Sequence, residues 1–176
     1  MSLIRTLLAI VILATTYTSH SLAQPEVYGL MNKPKFTVNE LSYLDNQYMR
    51  SQRNFIEDIV RRSLGSSFTG DPSFDLPVLQ RLLSEGKVLP HQRQELQAMG
   101  IILGDLLAAK LGMQWVVYED DLGRSRALQL NDTDNFLFPV TMISRRIEAG
   151  NTTPVQAIFD KAVTTIEPLI PPRPFE

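Results

Sequence analysis

Between Leu41 and Val60 the apolar residues fall three and four positions apart. Leu41, Leu44, Tyr48, Phe55, Ile56, Ile59 and Val60 make a stripe, while Arg50, Arg53, Glu57, Asp58, Arg61 and Arg62 take much of the remaining surface. That period predicts a helix over Glu40–Leu64, capped by Asn39 and ended by a left-handed Gly65. About 25 residues at 1.5 Å each give a rod of about 37 Å, enough to cross a small domain. A Ser-, Gly- and Pro-rich loop over 66–74 leads to a shorter helix with Asp75 as its cap and Pro77 in its first turn. Val78, Leu79, Leu82 and Leu83 face inward, and Gly86 stops it. A third helix runs from Pro90 to Leu111, ahead of Gly112, with Leu96, Met99, Leu103, Leu106 and Leu107 on its apolar face. Gly100 and Gly104 lie within it, one turn apart, and form a shallow strip suited to close packing against another element of the domain.

The period changes after Gly112. Trp115-Val116-Val117-Tyr118 is aromatic and β-branched and reads as a strand. Asp121-Leu122-Gly123 reads as a three-residue hairpin loop, with Arg124–Leu130 returning. In that register Asp120 faces Arg124 and Val116 faces Leu128. Phe136–Phe138 offers a third strand. Pro139 starts a helix over Val140–Ala149 that ends at Gly150. Thr153 caps a last helix, opened by Pro154 and ended by Pro168, with Val155, Ile158, Phe159, Ala162, Val163 and Ile166 inward. The fold class is therefore α+β: four to five helices on an antiparallel sheet of two to three strands.

The N-terminus has a different pattern. Arg5 precedes the short apolar block Thr6–Ala14, and Ser21-Leu22-Ala23 places small residues where a signal peptidase reads. Residues 1–23 are expected to be a signal peptide cleaved before Gln24. The block is about half the ~20 apolar residues that a spanning helix needs. Residues 24–38, broken by Pro25, Gly29 and Pro34, read as a flexible arm, 39–168 as one domain, and 169–176 as a Pro-rich tail. The expected location is periplasmic or secreted, without stable membrane insertion. With no cysteine, disulfides, zinc-thiolate sites and cysteine nucleophiles are excluded. The domain must hold together by its core, which a mature length of 153 residues permits.

Charge narrows the chemistry. Removing Arg5 with the leader leaves 16 basic against 19 acidic residues, a net charge of −3, which gives no electrostatic reason to bind nucleic acid. His91 is the one histidine of the mature chain and sits in a polar run. No nucleophile elbow, paired-histidine metal motif or phosphate loop is present. Glu119, Asp120, Asp121, Asp132 and Asp134 are candidates for carboxylate catalysis. Asp132–Asn135 also carries oxygen ligands for calcium, without the twelve-residue loop and distal Glu. All five fall in turns, where Asp commonly caps its own backbone. Asn131 and Asn151 begin glycosylation tripeptides that matter only in a eukaryotic secretory pathway. No cofactor is expected. Arg124 and Arg126, with Arg145 and Arg146, could converge on an anion near Thr141 and Ser144, or pair with the acidic turns and Glu148. Trp115 reads as a ligand platform or a core anchor. The candidate binding surface is Trp115, Tyr118, Arg124, Arg126, Arg145 and Arg146.

Four features taken together resemble a known family: the helix 96–107 with spaced glycines, Trp115-Val-Val, the acidic-Gly turn at 119–123, and Pro139-Val-Thr-Met-Ile-Ser-Arg-Arg. They are similar to the bacterial domain of unknown function 3806. The resemblance implies a small α+β domain, often in exported proteins, and brings no catalytic residues with it. The expected function is a non-catalytic binding or interaction domain of the cell envelope, with an unknown protein or small anionic ligand as partner. A carboxylate-dependent envelope hydrolase and an immunity-type toxin inhibitor are the alternatives.

Overall fold

The computed structural model of the protein describes residues 36–171. The expected leader, most of the expected arm and the last five residues of the tail lie outside them. Four antiparallel strands form one sheet in the order β1-β2-β3-β4. They are β1 (Thr37–Glu40), β2 (Gln114–Asp120), β3 (Gly123–Gln129) and β4 (Phe136–Leu137). The helices are α1 (Tyr43–Leu64), α2 (Pro72–Ser84), α3 (Arg93–Leu111), α4 (Pro139–Glu148) and α5 (Val155–Ile166), followed by a 3₁₀ turn at Glu167–Leu169. The class is α+β, with one strand more than the sequence pattern predicts.

That extra strand comes from the expected arm and the expected first turn of the helix. Asn39 is not a cap; it lies in β1 opposite Val117. Ser42 caps α1 instead. Its Oγ accepts the Asp45 N–H at 3.1 Å, and the Asp45 carboxylate accepts the Ser42 N–H at 3.2 Å, a capping box. Starting three residues late changes which side chains face in. Leu44 is 72% exposed, while Asp45 and Met49 are buried. Ile56 and Val60 are fully buried, as the stripe requires.

The second cap also differs from expectation. Asp71 caps α2 by accepting the Ser73 N–H at 2.8 Å. Asp75 is buried one turn further on, and its carboxylate accepts the N–H groups of Thr69 and Gly70 at 2.9 and 2.8 Å. It clamps the preceding loop onto the helix. The α5 start has no cap from Thr153; the side chain of Gln80 on α2 takes the Val155 N–H at 2.9 Å.

The central helix α3 carries the core, with Leu96, Met99, Leu103 and Leu107 fully buried. Its two glycines do what close packing demands. A Cβ on Gly100 would lie 2.6 Å from the Pro139 carbonyl oxygen, and one on Gly104 would lie 2.6 Å from Cη2 of Trp115. Backbone of α4 and the indole of β2 therefore sit directly on α3.

The hairpin register is one residue off the expected one. Asp120 pairs with Gly123 across a two-residue turn, so Val116 faces Ala127 and Val117 faces Arg126. The turn closes because the Asp120 carboxylate accepts the Leu122 N–H at 2.9 Å and Gly123 takes a φ of 124°. A slip of one residue exchanges the two faces of a strand. Here it puts Arg124 and Arg126 on the same face as Trp115, Val117 and Leu128, toward the helices. On the opposite face Phe36, Tyr118 and Phe136 pack ring to ring at 5.1–5.6 Å, and Phe138 meets Tyr118 edge-on at 5.2 Å.

Candidate functional site

The register sets up the site. Arg124 reaches under the sheet to α1 and binds Asp45 with both ends of its fork, at 3.0 and 2.6 Å. Arg126 joins the same carboxylate at 2.8 Å, and its guanidinium lies 4.1 Å over the ring of Tyr48. The Ser42 hydroxyl donates to Asp45 as well, at 2.5 Å. Asp45 is 2% exposed, yet it stays ionised. The bidentate bond from Arg124, helped by Ser42, holds its carboxyl well below the usual range, against the opposing effect of burial. The same bond raises Arg124 above its ordinary value. One carboxylate thus serves two guanidinium groups, while Glu119 stands opposite Arg124 across the hairpin and adds a second negative charge. The buried Nε–H of Arg126 has no acceptor among the described residues.

The two arginines border a cleft of about 230 Å³. Arg124, Ser125 and Arg126 of β3 form one wall, and Phe138 and Thr141 at the start of α4, with Arg145 in its last turn, form the other. Tyr48 and Gln97 complete the lining. Arg145 is exposed and has no ion-pair partner among the described residues. A second hollow, of about 350 Å³, shares Arg124, Ser125, Phe138 and Arg145 and continues to Tyr118, Asp120 and Leu122, so one of the five acidic candidates lines it. The phenol of Tyr118 is pushed up by partial burial and then by Asp120. The cleft therefore offers guanidinium, hydroxyl and amide donors, a set suited to carboxylate or other oxyanions.

Four of the six predicted surface residues meet here: Tyr118, Arg124, Arg126 and Arg145. Trp115 does not. Its ring lies against Gly104, and its Nε1–H donates to Asp105 at 2.9 Å, so it is a core anchor. Arg146 turns back on its own helix and donates to the Met142 carbonyl at 2.5 Å. Of the two residues expected near the anion, Thr141 lines the cleft and Ser144 is buried. Glu148 pairs with Arg93 at 2.9 Å, not with the arginines beside it. The five acidic candidates divide between the two ends of β3, and no group of three potential metal ligands occurs among the described residues. Sequence reasoning missed Asp45 and Tyr48. Both sit 76 or more positions before Arg124, and the one available signal was Ser42-x-x-Asp45, a capping box.

The fold is similar to that of a crystal structure from Bacteroides thetaiotaomicron VPI-5482, with a TM-score of 0.67 at 18% identity. The alignment covers 77% of this chain and 50% of that one, so this chain spans about half the length of the solved structure it matches. Residues 75–159 match the family model described as Domain of unknown function (DUF3806), which establishes the resemblance seen in the sequence for the middle of the chain. No curated protein matches. The family match contains Arg124, Arg126 and Arg145, whereas Asp45 and Tyr48 lie before it. No described helix is long and apolar enough to cross a membrane.

Proposed function

We propose that this chain is an exported, non-catalytic recognition domain of the cell envelope, which binds a negatively charged group in the arginine-lined cleft. The observation that carries the reading is the arrangement at Asp45: two guanidinium groups on one carboxylate, with Arg145, which has no ion-pair partner among the described residues, across the cleft. Three arginines line a concave, partly apolar site, where an anion is bound more strongly than on an open surface. Tyr48, Ser125 and Thr141 carry hydroxyls in the cleft, whose lining holds no carboxylate or histidine to activate them; Asp120 lines the adjoining hollow, where its carboxylate accepts the Leu122 N–H of the hairpin turn. Export rests on the leader-like pattern of residues 1–23.

Titration calorimetry of the purified mature chain with citrate and with penta-glutamate tests the reading. At least one probe is expected to bind, and Arg145→Ala should weaken it about tenfold, the value of one charge-assisted contact of roughly 1.4 kcal/mol. Unchanged binding in the variant, binding of neither probe, or turnover of an envelope polymer by the purified chain would overturn it.

A further inference from the structure

The wall of the cleft formed by β3 is an unpaired strand edge. On that side β3 has one partner among the described residues, β4, and β4 meets only Leu128 and Gln129. The Leu130 N–H donates to the Asn135 carbonyl at 3.1 Å, and Leu128 stands opposite Leu137. Alternate residues of an antiparallel strand turn their main-chain groups the same way. Arg126 and Arg124 therefore present their N–H and C=O groups to this side too. The segment that should pair with them leaves the sheet at Pro139, which opens α4. An open edge of this kind is usually blunted by its own charged side chains. Here those side chains are drawn under the sheet onto Asp45, and the edge lies bare within a cleft.

We infer that this edge accepts an extended acidic peptide as an added strand, with its main chain on Arg124 and Arg126 and a carboxylate on Arg145. The inference rests on the recognition reading above and names its ligand class. Charge complementarity selects an acidic segment: Arg124, Arg126 and Arg145 line the cleft with no carboxylate among its lining residues, and Arg145 has no ion-pair partner among the described residues. The shape of the cleft selects an extended one. Phe138 and Thr141 face the edge from α4, and the hollow continues along the strand to Leu122, which is 97% exposed at the hairpin tip. Strand addition draws affinity from main-chain bonds and specificity from pockets for alternate side chains, and both are present here. The other sheet edge, β1, has the sequence Thr-Val-Asn-Glu and offers an acidic side chain where β3 offers arginines.

Selection from a displayed library of random nine-residue peptides, followed by hydrogen exchange on the winning complex, tests the inference. The selected peptides should be acidic and poor in proline. Binding should protect the amides of Arg124 and Arg126 while leaving that of Ser125 unchanged. N-methylation of the winning peptide at alternate residues should cost at least tenfold in affinity in one of the two phases only, and Arg145→Ala should cost about tenfold. Binding without protection at Arg124 and Arg126, or indifference to N-methylation in both phases, would refute strand addition. Failure to select any peptide while citrate still binds would refute it too, yet leave anion recognition standing. Failure of both probes would remove both readings.

Discussion

Two arginine–carboxylate clusters join helices to the sheet, and they end in opposite states. In the first, Arg53 of α1 grips Asp105 of α3 at 2.6 and 2.7 Å, and the indole of Trp115 completes the carboxylate at 2.9 Å. Charge balances there, and the Trp115 ring closes over Gly104. In the second, Asp45 meets two arginines, Glu119 stands opposite one of them, and the arginines border a cleft. The same pair of chemical groups thus acts as a rivet in one place and lines a cleft in the other.

The closed cluster should respond most to added volume. Gly104→Val puts a branched side chain where a single Cβ already lies 2.6 Å from Trp115 Cη2 and 3.0 Å from Pro139 Cβ. Trp115 cannot swing aside without giving up its bond to Asp105. Overpacking of this sort costs about 3 kcal/mol. The expected result is a fall in Tm on the order of 10 °C, with a change in Trp115 fluorescence. A variant as stable as the parent would show that the indole is not confined.

The next effect separates the two clusters by burial. Asp45 is 2% exposed, whereas the Asp105 side chain is 34% exposed. Asp45→Ala removes the capping box and leaves two guanidinium groups facing each other, so about 2 kcal/mol is expected, against about 1 kcal/mol for Asp105→Ala. Acid should single out Asp45. Its folded pKa is depressed, so its contribution is complete above the ordinary Asp value near ~4 and is lost as pH falls toward the folded value. In urea melts from pH 5 downward, the gap between parent and Asp45→Ala should narrow. A constant gap would mean that the carboxylate is not what the arginines hold.

These sites also mark how far the sequence could be read. Helix ends at Gly65 and Gly112, the inward faces of α3 and α5, and the close approach at Gly100 and Gly104 are local matters of period and cap, and all were legible. Strand β1 was not. Thr37-Val-Asn-Glu has no strong strand preference and is extended because β2 supplies its ladder from 78 or so positions away. The hairpin register turned on one Asp120 hydrogen bond that makes the loop two residues long instead of three. That slip also decided the site. The arginines were visible as candidates, but their partner Asp45 sits 79 positions from Arg124 on a helix whose phase depends on which residue caps it.

The smallest expected effect bears most directly on the comparison. Arg145 belongs to neither cluster: it is exposed, makes no ion pair among the described residues, and stands in the last turn of α4 beside the cleft. A surface substitution clear of caps, core and buried charge changes stability by under about 0.5 kcal/mol. Arg145→Ala should therefore unfold in urea within that margin of the parent. A small gain is the more informative direction, because removing one of three neighbouring positive charges relieves repulsion that no bound anion offsets in the free protein. The gain should shrink as salt is added, since these charges are near the surface. Citrate present during unfolding should reverse the order, because a ligand that binds the folded state alone stabilises the parent more than the variant. A loss of 2 kcal/mol or more in Arg145→Ala would instead place Arg145 in the rivet class and empty the cleft of its one free cation among the described residues.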